Sequence, residues 1–554
     1  MADSKKSNPS DDCMLLALPR ELRDDIYKHY LRVEGGYVYN FESGKLRCAT
    51  STGTRAPIDL ELMLSCRQIA AEMRGLALKT NVITFRPVAP PAKQSNLQYL
   101  LNSKDEWWDA VFQSLQEKNF NHPLRSSRKD WWPVPNFDES ICRTVSEEFP
   151  KFEPHLRLIQ RLASEPSNYA ARFDVFNDEE HDFTGRQVYW PNIGYPIYWG
   201  EVPSLQRQAA LKTLELISSR ESWSEKAWSD VEDDPGWRAG SYRVPTTDRA
   251  ADIIRYHSLY KPWTIIEDAE GDGIEHDRRH PAHYRDEHKT QEDYEREPHE
   301  NFDPRYWNRH FLSAASIAIH FLENIPSQRK NIRKIILDER YPGQNFSECH
   351  GLGFIGLCKE NPALRVERRA NLWTNVWQPE TCLNNDGMTD YFLTERVACW
   401  IVEALALAPA GMPQGSFTLV LDGNPAPEQC TKLFQRVQRD AAWHTAFLET
   451  FDRGILHKVS YDDMRRTEGF MYVDFPPALQ DISRGTCLAV RANFDVGEPM
   501  DVEAMIEAHR EWTLSDWERG WDLSTSYQTL PPLPEWKVIC DLRNSPEGVP
   551  WFRD

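Results

Sequence analysis

The chain is 554 residues long, enough for several domains and a sizeable buried core. Its formal net charge of −20 argues against nonspecific binding to nucleic acid or to an anionic membrane, both of which need a net basic face. The 11 cysteines are odd in number and scattered, with no CxxC pair, and so point to reduced thiols in an intracellular chain.

Residues 1–13 (MADSKKSNPSDDC) read as a disordered polar tail without the apolar core of a signal peptide. In LPRELRDDIYKHYL the residues Leu18, Leu22, Ile26 and Tyr30 recur every four positions, which places them along one side of a helix. Pro19 suits the first turn, and Glu21, Asp24 and Asp25 favour the positive end of the helix dipole. A short apolar helix preceded by Leu15 and Leu16 predicts a docking element. The alternative is that the same stripe packs on the body behind it. After Gly35–Gly36, YVYNF and KLRCAT predict a hairpin turning at Glu42–Ser43–Gly44. A second helix is expected from Asp59 to about Lys79, with Leu60, Leu64, Ile69, Met73 and Leu76 near one face. Asn81 closes it, and Val82–Phe85 is β-branched enough for a strand.

The Leu-Pro-x-Glu-Leu opening of the first helix resembles the start of an F-box, and Ser65-Cys66-Arg67 resembles that motif's later Val-Cys-Arg segment. With the VITF strand, residues 15–85 look like a large group of fungal F-box-like proteins, most of them without an assigned function. The resemblance implies that Leu18, Pro19, Leu22 and Ile26, with Tyr30 continuing the stripe, face a Skp-type adaptor of a cullin-type ubiquitin ligase. The chain departs from the family pattern in one respect: a glycine-containing hairpin separates the two helices, whereas an F-box is a compact helical unit.

Residues 86–310 read as an irregular Trp- and Pro-rich region. PVAPP stiffens its start. Trp107–Trp108, Trp131–Trp132 and Val188–Gly200 would form either an open aromatic platform or staples that hold loops to a core. Helical stretches are expected at 153–164 and 204–218. Residues 223–301 read as an acidic, His-rich loop. His276 and His280 have helical spacing, but Pro281 follows and no HExxH order exists, so a solvated loop is the better reading than a metal site.

From 311 to 554 the pattern becomes that of an α/β body, with α+β left open. An apolar helix ends at Pro326, a strand covers Asn331–Glu339, and a buried helix runs through Val397–Leu407. That helix belongs to the longest apolar run, which contains Glu403 and is too short to span a bilayer. A strand in Gly415–Pro425 and a helix from Pro427 to Phe451 follow, then a Trp-rich helix at Asp501–Asp522. The two strands lie about 85 residues apart, too far for a leucine-rich repeat, so a solenoid-like sheet would be heavily decorated. Residues 311–377 also resemble the fungal group, through Ile-Arg-x-Ile-x-Leu, Cys-His-x-x-Gly and Glu-Asn-Pro-x-Leu-Arg segments.

Chemical motifs are weak. Gly351, Gly353 and Gly356 match GxGxxG, but about ten residues separate them from the preceding strand and no ribose-binding acid follows, so packing is the better use of these glycines. Cys349, His350 and Cys358 lack a fourth zinc ligand at a useful spacing. No nucleophile elbow, Walker lysine or kinase set occurs, so no cofactor and no catalytic residue is assigned. Arg333, Lys334, Arg365, Arg368 and Arg369 form a candidate basic groove for an acidic peptide or phosphate, unless Glu339, Glu360 and Glu367 neutralise it. These features lead to an F-box-like substrate receptor that works by binding, with a protein substrate, a Skp-type adaptor and neither nucleic acid nor membrane as partners. The alternatives are a scaffold protein in which the first helices form a structural cap, and a small-molecule enzyme built on the Trp-rich region.

Overall fold

The β-branched runs of the sequence lie side by side in one sheet. A computed structural model describes residues 14–49, 57–88, 138–153, 156, 202–218, 261–265, 311–343, 346–377, 390–457, 472–517 and 520. The expected hairpin is formed by β1 (Tyr37–Asn40) and β2 (Lys45–Cys48), which pair antiparallel. They are joined by β3 (Ile83–Phe85), β4 (Lys334–Glu339), β5 (Arg365–Asn371), β6 (Phe417–Asp422) and β7 (Val490–Ala492). Among the described residues the order is β2-β1-β3-β4-β5-β6-β7, and every pair beyond the hairpin is parallel. The α/β class with parallel pairing is therefore present. Ile83 lies opposite Ile335, so the segment before residue 86 and the body after residue 310 share one sheet; the expected boundaries do not divide it.

The parallel strands follow chain order, so each crossover steps in the same direction. Crossovers of one hand then place their connections on one face. The register agrees. Ile83, Ile335, Val366 and Phe417 form one row and Phe85, Leu337, Arg368, Leu419 and Val490 another; the apolar members of both belong to the main core. The alternate rows, Thr84–Ile336–Glu367–Thr418 and Asp338–Arg369–Val420–Arg491, lie outside it. Parallel sheets are ordinarily covered on both faces. Among the described residues the main core lies on one face.

The helices are α1 (Arg20–Leu31), α2 (Glu61–Ser65), α3 (Arg67–Met73), α4 (Leu76–Thr80), α5 (Glu139–Glu148), α6 (Pro203–Ser218), α7 (Ala314–Asn324), α8 (Ile355–Glu360), α9 (Asp390–Ala406), α10 (Pro427–Asp452), α11 (Phe475–Ser483) and α12 (Val502–Ala508). α7 lies on β3 and β4 and α9 on β6 and β7, while α10 packs behind α9 against α11 and α12. The expected single helix from Asp59 to Lys79 is broken twice. Cys66 is extended, and its sulfur accepts from the Ile69 N–H at 3.4 Å, capping α3. Gly75 takes φ +76°, and a Cβ there would meet Asn331 Nδ2 at 2.6 Å, so glycine alone fits. The Trp-rich C-terminal helix is interrupted: α12 ends at Ala508 and helix resumes at Leu514, and Trp512 and Trp517 fold back around Trp443 with edge-on ring contacts. Glu153 and Leu156 are the only described residues of the helix expected at 153–164, and most of the 86–310 region, including its paired tryptophans and the histidines from His276 to His299, lies outside the described residues.

The glycine motif begins in the 3-10 stretch Ser347–Phe354 and ends in α8, apart in sequence from the end of β4. A Cβ on Gly353 would stand 2.4 Å from Ile319 Cδ1 and 2.8 Å from the Trp263 ring, whereas nothing lies within 4 Å of one on Gly356. Gly353→Ala is expected to cost about 1–3 kcal/mol through overpacking. Gly356→Ala is expected to leave the urea midpoint nearly unchanged, so comparing the two midpoints checks the packing role.

Candidate functional site

Two surfaces and one buried cluster carry the residues singled out from the sequence. The first surface is α1. Periodicity alone does not say which way its stripe points, and the inward positions are the ones after it: Arg23, Tyr27 and Leu31 are buried. Tyr27 and Leu31 pack with Ile69 and Met73 of α3, with Leu15 and Leu16 against them. Arg23 fixes this orientation. Its Nη2 and Nε reach Glu72 at 2.7 and 3.0 Å, and its Nη1 donates to the Leu18 carbonyl at 2.5 Å. Tyr27 donates its hydroxyl hydrogen bond to the same carboxylate at 2.9 Å. The hydrogen bond from Arg23, aided by those from Gln68 and Tyr27, overcomes the burial penalty and holds the Glu72 carboxyl down at about 2.

Because packing falls to that polar-apolar seam, the stripe faces solvent. Leu22 is 53 % exposed, Ile26 40 % and Tyr30 37 %. Pro19 is exposed and Leu18 half-buried. The Tyr30 hydroxyl accepts from the Leu62 N–H at 3.4 Å, which brings α2 alongside, and Leu60 and Leu64 of that neighbouring segment are exposed as well. Contiguous apolar patches on folded chains are common at interaction sites.

The second surface is the sheet face outside the core. Of the five cations expected to form a groove, Lys334 and Arg369 lie there, in the alternate rows of β4 and β5. Arg368 does not. It points into the core, 1 % exposed, because strand alternation sends it opposite to Arg369. Arg333 and Arg365 turn back instead to backbone carbonyls at the amino edge, Arg333 to those of Lys330 and Ile332, Arg365 to those of Pro362 and Leu364. The three glutamates are all engaged: Glu339 by Arg368, Glu360 by Arg329, and Glu367 by Arg369, Lys334 and Arg491. The sequence reading missed Arg491, since β7 is only three residues long and nothing local marks it as a strand.

The buried cluster sits at the carboxyl edge of β4 and β5. Glu339 accepts from the Ala314 and Ala315 N–H groups at 2.9 and 3.1 Å, capping α7, and from Arg368 Nη2 at 2.9 Å. Arg368 also donates to the Ser347 and Glu348 carbonyls and lies 4.5 Å over the Trp400 ring. His350 Nδ1 stands 2.8 Å from Ser313 Oγ and 3.1 Å from Ser316 Oγ. A Ser–His contact raises the question of catalysis, but Ser313 is the N-cap of α7 and accepts from the Ser316 N–H, and all three side chains are buried. Among the described residues the parallel strands wind in one direction, without the reversal of order at which α/β sheets typically hold small ligands. The arrangement caps a helix rather than exposing a nucleophile.

No family model matches the chain, and no curated protein and no solved structure matches it. Among the described residues no three His, Cys, Asp or Glu side chains gather as a metal site, and no helix is long and apolar enough to cross a membrane.

Proposed function

We propose that the chain is an F-box-like receptor whose α1 stripe docks on a Skp-type adaptor of a cullin-type ubiquitin ligase. Its role is positional: it raises the effective concentration of a bound protein near the ligase without chemistry of its own. The observation that carries this reading is the outward turn of Leu22, Ile26 and Tyr30, with Arg23, Tyr27 and Leu31 holding the helix from behind. The Leu-Pro opening and the capped Cys66 segment add the resemblance in sequence.

A charge placed in a desolvated apolar interface costs several kcal/mol, so Leu22→Asp and Ile26→Asp should each weaken adaptor binding about 30-fold or more. Both positions are exposed, and the thermal midpoint should hardly move. Titration of the adaptor into the full chain by calorimetry checks this. No heat of binding with the wild type, or wild-type affinity retained by both variants, removes the reading. A second reading, a scaffold protein in which this segment is a structural cap, is favoured by the pairing of β3 with β4, which ties the segment into the main sheet. It predicts that no adaptor binds.

A further inference from the structure

The sheet face opposite the main core carries a concentration of positive charge that the overall net charge of −20 conceals. Glu367 of β5 is nearly buried and is surrounded by three cations from three strands: Arg369 Nε at 2.7 Å, Arg491 Nη2 at 2.8 Å and Lys334 Nζ at 3.3 Å. One row further, Asp338 of β4 is held by Arg86 at 3.3 Å and by Arg340 at 2.9 Å. Five cations thus face three carboxylates, since Asp422 at the carboxyl end of β6 lies on the same face and acts on Arg340. The carboxylates are sunk and the cations project: the Lys334, Arg369 and Arg491 side chains are 50, 43 and 59 % exposed, against 11 % for Glu367. Ile336, Thr418 and Val420 make a low floor between them. Burial pushes the Glu367 carboxyl upward, but the hydrogen bond and charge of Arg369 and the charge of Lys334 prevail, so it lies below its ordinary value. Glu367 is therefore ionised, and shows that a carboxylate held at this spot satisfies all three cations at once.

We infer that this face binds a short acidic segment of a partner protein, laid across β4 to β7 so that its carboxylates meet Lys334, Arg369 and Arg491. Strands are spaced by about 4.8 Å, so the patch spans about 14 Å, the length of about four extended residues. That footprint fits a brief run of Asp and Glu. A long polyanion such as a nucleic acid would extend past it onto a chain that is acidic as a whole, where like charges repel. The surface is distinct from the α1 stripe, and the inference does not rest on the adaptor reading.

Fluorescence anisotropy on the full chain tests it, with labelled oligoglutamate as the probe and oligoglutamine and an oligothymidylate of equal length as rivals. Oligoglutamate should bind, more weakly as salt is raised, and oligoglutamine should not. Arg369→Glu combined with Arg491→Glu should weaken binding about tenfold or more. Glu367→Gln, which removes the internal competitor, should tighten it about threefold. Because charge reversal can disturb β5, Lys334→Ala and Arg491→Ala serve as mild single variants at half-exposed positions, each expected to lose about threefold with an unchanged circular dichroism spectrum. The inference is overturned if neither the wild type nor Glu367→Gln binds oligoglutamate. Equal affinity across the variants, or tighter binding of oligothymidylate, overturns it too.

Discussion

Arg368→Ala is expected to destabilise the fold by about 3–5 kcal/mol, the largest effect of any single charged residue considered. The reason lies on the next strand. Glu339 is fully buried, and Arg368 is its only ion-pair partner among the described residues. Losing the guanidinium strands a carboxylate in the core and also leaves the Ser347 and Glu348 carbonyls without their donor. The double variant Arg368→Met with Glu339→Gln removes both charges and keeps an acceptor for the Ala314 N–H. It should therefore recover most of the loss, because a buried pair replaced by neutral groups of similar size is often close to neutral. Urea denaturation of the three proteins gives the answer. A single variant costing under about 1 kcal/mol, or a double variant no better than the single, would contradict the arrangement.

Stability is also expected to fall as pH rises from about 4.5 to about 7, through Glu403 of α9. This side chain is buried between α6 and the Ser347–Phe354 turn. Burial, opposed by hydrogen bonds from Ser204 and augmented by the Glu348 charge, raises its carboxyl from 4.5 to about 7. A group whose pKa is higher in the folded state binds its proton there more tightly than in the unfolded chain. Its contribution is complete below the unfolded value of about 4.5 and is lost as pH climbs to the folded value of about 7. At about 1.4 kcal/mol per pH unit, the loss over that window is about 3 kcal/mol. Oε1 accepts from the Ser204 N–H and Oε2 lies 2.7 Å from Ser204 Oγ. The neutral acid satisfies the same geometry by donating to Oγ, and so does glutamine. Glu403→Gln should therefore flatten this part of the pH profile and exceed the wild type by about 2–3 kcal/mol at pH about 8. Denaturation midpoints of both proteins across the range test the point, and parallel profiles would refute it.

Local pattern and tertiary context divide the molecule unevenly. β3, β4 and β6 stand out as runs with β-branched residues, the hairpin by its turn at Glu42–Ser43–Gly44, and α7, α9 and α10 as long apolar periodic segments; these needed no knowledge of neighbours. The strand β5 is different. Arg-Val-Glu-Arg-Arg-Ala-Asn carries four charges in seven residues and reads as surface, yet it is central in the sheet. It can be there because Glu339 and Glu367 neutralise its arginines, one on β4 and one on β5 itself, and because Arg491 arrives from β7. Such compensation is visible only once the strands are adjacent. The broken second helix shows the same limit: its apolar spacing is nearly continuous, and it is interrupted at the extended Cys66 and again at Gly75, which fits against Asn331, far along the chain.

The opening helix draws the line most clearly. The sequence by itself determined that residues 20–31 form a helix with an apolar stripe through Leu22, Ile26 and Tyr30, since a four-residue spacing must align side chains on one side. It also pointed to an α/β class with some parallel pairing, because strand and helix alternate at crossover lengths, while leaving α+β open. Only the tertiary structure decided that the stripe faces outward. A hydrophobic pattern ranks faces by their cost of exposure, and on that count the stripe belongs inside. The choice was made instead by Arg23 and Tyr27, whose joint hydrogen bonds to Glu72 bury the neighbouring face. The same holds for the charged sheet face: its residues are scattered over some 400 positions of chain, and winding in one direction is what brings them together on the face opposite the main core.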